Sequence, residues 1–150
     1  MDTTGRNIYL ASSWHNSYHQ IVLKSLRMQG HEVYDFKHPS PTNNGFAWHD
    51  CFPNKDNHAK DIKSYMQAIR TNRAEESYAF DKDALDKCDT CILLLPCGRS
   101  AHLEAGYAIG KGKEVIILLS EDQFEPELMY LMANHIACSL TEVLQYFHRN

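Results

Sequence analysis

Two apolar runs on either side of one helical segment constrain this chain more than any other feature. Thr90 to Leu95 (TCILLL) is an apolar run, as a strand buried on both faces of a parallel sheet must be, and Val115 to Leu119 gives the second such run within the strand Lys113 to Leu119 (KEVIILL). Between them Pro96-Cys97-Gly98-Arg99 breaks the first run, Ser100 is placed to cap a helix reaching about Lys111, and Gly112 ends it. The N-terminal part reads the same way. Asn7 to Ser12 (NIYLAS) is a short strand, and His15 to Gln29 carries Tyr18, Ile21, Val22, Leu26 and Met28 at helical spacing. Gly30 closes that helix, and His31 to Phe36 (HEVYDF) alternates as a second strand. Strands alternating with helices force a mostly parallel sheet covered on both faces. The predicted fold is therefore α/β: a flavodoxin-like or Rossmann-like three-layer sandwich with four or five strands.

Other segments fit around this frame. Lys37 to Asn57 has no period but is dense in aromatics (Phe46, Trp48, Phe52), which argues for a lid or the wall of a site. Ile62, Tyr65, Met66 and Ile69 predict an amphipathic helix over 58–70, entered from Asp56 or Asn57. Asp81 to Lys87 reads as a short helical turn with Asp81 as its cap, Glu127 to Ala133 as a short helix, and His135 to Cys138 as an edge strand. Ser139 with Glu142 forms a capping box for a last helix carrying Val143, Leu144 and Phe147. With no repeats or linkers, residues 1–150 are expected to form a single domain.

Composition narrows the function classes. A net charge of -4 gives no bulk attraction to nucleic-acid polymers or acidic membranes, so any anion recognition must be local and a small ligand is favoured. The apolar runs are far shorter than the roughly 20 residues that cross a bilayer, and MDTTGRN has no signal-peptide core, so a soluble cytoplasmic chain is expected. The 5 cysteines lack a disulfide framework. Cys88-Asp89-Thr90-Cys91 is formally a CxxC, yet without a second ligand pair two buried thiols are the better reading. The 9 histidines show no HExxH spacing, and neither metal nor cofactor is predicted.

In parallel sheets ligands bind beyond the carboxyl ends of the strands. That rule selects Ala11 to Asn16, where Ser12 is a candidate contact, then Phe36 to Trp48, and Pro96 to Glu104. Gly98, Arg99 and Ser100 at a helix start make a cradle for a phosphate or carboxylate, or else an ordinary capped turn. Glu104, placed by this reading in the first turn of that helix with Ala101, Ala105 and Ala108 around it, suits a nucleophile held ionised by the helix dipole, or simply favours a first turn. Asp81 and Asp83 offer a second carboxylate or a cap, and Tyr9 a phenolic donor or core packing.

Ile8-Tyr9-Leu10-Ala11, the stretch Asp81 to Asp89 leading into Thr90 to Leu95, and Glu104-Ala105-Gly106-Tyr107-Ala108 together resemble the nucleoside 2-deoxyribosyltransferase superfamily, over roughly Asn7 to Leu119. The superfamily includes deoxyribosyltransferases and nucleotide N-glycosidases. The resemblance implies that Glu104 attacks the anomeric carbon to form a glycosyl-enzyme, that Tyr9 positions it, and that Asp81 assists protonation of the departing base. It also implies a homodimer or higher homo-oligomer in which a neighbouring subunit completes the site, with Asn134 as the polar candidate beside the apolar stretch Leu128 to Ala133. Phe46 and Trp48 are candidates to stack on the base. The transferases carry an acidic residue six positions before the nucleophile, where this chain has Gly98 followed by Arg99 and Ser100. Loss of a negative group beside a gained positive one favours a nucleoside monophosphate over a neutral nucleoside. Two other readings are a TIR-like domain acting on NAD and a nucleotide-binding sensor without turnover.

Overall fold

The computed structural model describes residues 5–53 and 59–149. The chain divides into two compact units, one of Met1–Asp35 with Lys87–Asn150 and one of Phe36–Asp86.

The first unit holds five strands: β1 (Asn7–Ala11), β2 (Glu32–Tyr34), β3 (Thr90–Leu94), β4 (Glu114–Leu118) and β5 (His135–Ala137). They form one sheet in the order β2-β1-β3-β4-β5, and every pair is parallel. This is the doubly wound architecture expected, with β5 as the edge strand, and the strand order reverses between β1 and β3. All five residues of β3 are buried.

Three helices cover the sheet. On one face α1 (His19–Met28) and α5 (Leu140–Arg149) pack through Val22, Leu23, Leu26, Val143 and Phe147 against Ile8, Leu10, Ile92, Leu94, Ile116 and Leu118. Strand alternation sends Tyr9, Cys91, Leu93, Val115 and Ile117 to the other face. There α4 (Arg99–Gly110) lies on β1, β3 and β4. Its buried Ala101, Ala105 and Ala108 recur at helical spacing, and their small side chains let the helix approach closely. Gly30 (φ +88°) and Gly112 (φ +73°) follow α1 and α4 in the left-handed conformation that ends helices. Ser139 Oγ accepts from Glu142 N at 3.2 Å, as the capping box requires, while the Glu142 carboxylate accepts from Cys138 N at 2.6 Å rather than from the cap residue itself.

The second unit contains a 3₁₀ turn at Trp48–Cys51, α2 (Ile62–Ala68) and α3 (Asn72–Lys87), which continues one residue past the unit. Arg73 is its hub. The guanidinium donates to Gly45 O and Ser77 Oγ, both at 2.6 Å, and stands 5.7 Å above the Phe46 ring.

Several boundaries differ from the sequence expectation. The cap of α2 is Asp61, which forms a capping box with Ser64, whereas Asp56 and Asn57 lie outside the described residues. Within α2 only Ala68 is buried, and Ile62, Tyr65, Met66 and Ile69 are exposed. Asp81 does not open a short turn: α3 begins at Asn72, and Asp81 sits in its interior. Ala, Glu and Lys make this segment intrinsically helical although only Ala74 and Leu85 are buried, so it carries no apolar stripe to read. Ser100 is not the cap of α4 either. The cap is Gly98, with Arg99 already helical, which moves Glu104 from the first turn to the second.

Burial predicts a contrast between two positions. Ile92→Ala, at a fully buried position of β3, should cost about 3 kcal/mol of stability, and Leu103→Ala, on the open side of α4, less than about 0.5 kcal/mol. Urea denaturation followed by far-UV dichroism measures both.

Candidate active site

Parallel pairing collects the carboxyl ends of the strands on one edge, where the β1–α1 loop meets the β3–α4 turn. Two side chains tie these segments together. Ser12 Oγ donates to Leu94 O at 3.0 Å, so this candidate contact is engaged with the end of β3. Asn16 is buried, donates through Nδ2 to Pro96 O at 3.2 Å, and accepts from Tyr18 N through Oδ1 at 2.9 Å. The Leu95-Pro96 peptide between them is cis. Asn16 had no assigned role in the sequence reading. Asn16 stands three residues ahead of the α1 start at His19 and makes an Asx turn with Tyr18, whereas the helix predicted from His15 would have enclosed it.

The turn runs directly into α4. Gly98 has φ −96° and ψ −157°, which any residue adopts, and no atom lies within 4 Å of where a Cβ would stand. Neither backbone conformation nor packing demands glycine here; a side chain would project into open space. The cap has no side-chain hydrogen bond, so the first N–H groups of α4 face outward with the helix dipole behind them. Arg99 and Ser100 are exposed, and Arg99 makes no ion pair or hydrogen bond among the described residues. His102 is the neighbour that sequence reasoning missed. Its Nδ1 lies 2.7 Å from Gly98 O and 3.7 Å from Cys97 Sγ, and its Nε2 lies 2.8 Å from Tyr130 Oη.

Glu104 is half-buried one turn further along α4. Its charge reaches two thiols. Burial first, and the Glu104 carboxylate after it, push Cys97 up to about 12. Cys91 is held well above the usual thiol range by burial, by Cys88 and then by Glu104. Cys88 and Cys91 are both buried, as the reading of the CxxC as two buried thiols expected. Tyr9 is fully buried, pairs in register with Cys91 and Tyr34, and stacks on Tyr34 with ring centroids 5.3 Å apart. Tyr9, Cys91 and Glu104 thus share the α4 face of the sheet.

A cleft of about 750 Å³ opens at the same edge, lined among others by Ser13, Asn16, Tyr18, Gly98, Ser120 and Ser139 over a floor of Leu94 and Leu118. Those leucines belong to the face under α1 and α5, and neither Glu104 nor Tyr9 is in the wall. Carboxylate and cleft therefore lie on opposite faces of the sheet and adjoin at the Pro96–Gly98 turn. A second cleft of about 280 Å³ is bordered by Cys97, His102, Asp122, Phe124 and Tyr130. Gln123, in the walls of both, is the non-glycine residue with positive φ (52°) among those described.

The remaining candidates are Asn134, Phe46, Trp48 and Asp81. Asn134 is exposed and hydrogen-bonds to Val115 through both its backbone N–H (2.9 Å) and its Oδ1 (2.8 Å), near the amino end of β4 and away from the cleft. Phe46, Trp48 and Asp81 belong to the second unit. Phe46 and Trp48 meet edge to face at 4.9 Å, and Trp48 also packs on Tyr65 at 5.7 Å. Among the described residues no group of three or more His, Cys, Asp or Glu is arranged to hold a metal ion, and no helix is long and apolar enough to cross a membrane.

Fold and edge geometry define a doubly wound parallel α/β protein with a carboxylate-bearing helix beside its central strand. No family model and no curated protein matches the sequence. Among solved structures the chain is similar to the CMP N-glycosidase BcmB of Clostridium botulinum, with a TM-score of 0.51 and 20% identity over 94% of this chain and 97% of that one. At that identity the likeness establishes the shared fold.

The thiols report on the carboxylate. With Cys97 at about 12, only about one molecule in ten thousand is thiolate at pH 8, so iodoacetamide should label exposed Cys138 and spare Cys97. Glu104→Gln removes a negative charge that opposes the thiolate, lowers the Cys97 value and should raise its labelling rate several-fold. An unchanged rate by peptide mass spectrometry would contradict the placement of Glu104.

Proposed function

We propose that this chain cleaves or transfers the N-glycosidic bond of a nucleoside monophosphate, with Glu104 as nucleophile. The observation that carries the proposal is the position of Glu104: half-buried on α4 beside the end of the most buried strand, on the sheet face that holds Tyr9. A fold shared with a CMP N-glycosidase along nearly the whole chain supports it.

The chemistry follows from the charge that develops. As the bond to the base breaks, the sugar approaches an oxocarbenium ion, which an ionised carboxylate stabilises and then captures as a glycosyl ester. The departing nitrogen needs a proton, and the proposal keeps Asp81 in that role and Phe46 and Trp48 as stacking faces on the strength of the family resemblance. Tyr9 is proposed to orient Glu104. Water attacking the ester gives a hydrolase, and a second base gives a transferase. Arg99, Ser100 and the open N–H groups after Gly98 are proposed to receive the phosphate, with the space beside Gly98 left free for it. In the same reading a second copy covers the exposed strip of Leu128, Met129, Leu131 and Met132.

Two experiments decide it. Incubating the protein with nucleosides, nucleoside monophosphates and NAD, and following released base by mass spectrometry, should show base from a monophosphate. Glu104→Gln should lower that rate at least about a thousandfold without unfolding the protein. Nicotinamide from NAD would select the TIR-like reading, and tight binding without product the sensor. Arg99→Ala should lower the ratio of monophosphate to nucleoside turnover about tenfold, the scale of one charge-assisted hydrogen bond. An unchanged ratio sinks the phosphate assignment.

A further inference from the structure

The first turn of α4 is not built as a helix start usually is. The carbonyl of a cap residue normally accepts the first intrahelical bond, from the amide four residues on. In α4 that bond, from His102 N to Gly98 O, is stretched to 3.4 Å, against about 2.9 to 3.0 Å for an ordinary N–H···O bond. The imidazole of the same residue occupies that carbonyl at 2.7 Å. A carbonyl oxygen only accepts, so Nδ1 carries the hydrogen, and in the neutral ring Nε2 is left with a lone pair. Tyr130 Oη, 2.8 Å away, donates to it, and the two rings lie within 19° of parallel. His102 is therefore braced from both nitrogens, between the β3–α4 turn and the Leu128–Met132 turn.

We propose that His102 is a positioning residue: its Nδ1–H takes the Gly98 carbonyl from the helix's own first bond and holds the turn open, so that Arg99 and Ser100 are set for an anionic group. The anion half rests on the function proposed above; the effect on the helix does not. Without the imidazole the backbone bond shortens and α4 closes to a regular first turn, carrying Arg99 and Ser100 with it. A merely structural His102 predicts the reverse, a looser turn once its side chain is gone.

The test uses the full chain and three variants. Asparagine places an amide N–H close to where Nδ1 stands and lacks the Nε2 acceptor, so His102→Asn keeps the Gly98 arm, Tyr130→Phe loses only the Tyr130 arm, and His102→Ala loses both. The first readout is hydrogen exchange of the residue 102 amide by NMR. It should slow about fivefold in His102→Ala and stay within twofold of wild type in His102→Asn and Tyr130→Phe. The second is titration with inorganic phosphate, followed on the Arg99 and Ser100 amides, whose affinity should fall about fivefold in His102→Ala and return in His102→Asn. Faster exchange in His102→Ala, or failure of His102→Asn to restore either readout, overturns the proposal. So does phosphate affinity that is absent in the wild type or unmoved in His102→Ala. Should both readouts hold while the wild type releases no base from any nucleotide, the glycosidase reading falls and the positioning role stands.

Discussion

β3 hydrogen-bonds along both edges, to β1 and to β4, always in parallel register, and all five of its residues are buried. A parallel pair cannot be closed by a tight turn. Each strand must be followed by a crossover that returns the chain to the amino edge, and right-handed crossovers from a central strand lay helices on both faces. The carboxyl ends therefore share one edge. The β1–α1 loop and the β3–α4 turn start there side by side, where the strand order reverses, and Asn16 and Ser12 fasten one to the other. The opposite edge is closed by polar ties: Arg6 to Glu114 at 2.9 Å, Asn7 N to the Asp89 carboxylate at 2.9 Å, and Asn134 to Val115. The amino edge is thus tied by side chains, while the larger cleft opens at the carboxyl edge.

The two faces of the sheet are chemically unequal. Under α1 and α5 the strands present mainly isoleucine and leucine, with the buried His19 of α1 3.9 Å from Asp35 just past the end of β2. Under α4 the helix contributes alanines, and the strands contribute Tyr9 and Cys91 beside larger aliphatics. Small residues bring the helix close, so a carboxylate on its flank sits partly out of water, next to a phenol's row and two neutral thiols. Burial first, and nearby negative charge after it, raise both thiols, which keeps them protonated beside Glu104.

Much of this was legible in the sequence because it depends on local pattern. Continuous apolar runs gave strands buried on both faces, glycines after periodic segments gave helix ends, and alternation of the two gave a parallel sheet. What escaped depends on distance in space. The cap of α4 is decided by where β3 ends and by the bend at Pro96, so Gly98 took the position that serine's capping preference had assigned to Ser100. Asn134 reads as a site residue beside an apolar strip, yet its carbonyl oxygen is committed to an amide 19 residues earlier in the chain. The first half of α3 buries too little to show a stripe. His102 is the opposite case: its bond to Gly98 spans four residues and was readable, but histidine on an exposed helix face carries no local mark.

Net charge and local charge also part company at the free edge. The chain carries a formal charge of -4, and Asp122, Glu125 and Glu127 border the smaller cleft. Arg99, exposed at the start of α4, is a local positive charge against that background. Low-dielectric walls focus a local charge rather than average it away, so the sign felt at one turn can differ from that of the whole chain. In the proposed function a dianion gains from that turn what a neutral ligand does not. Average composition argues against a polyanion as partner; in the proposed reading the local charge at this turn is what would orient a small molecule with one anionic end, and that makes its geometry, proposed to be set by His102, matter more than the net charge.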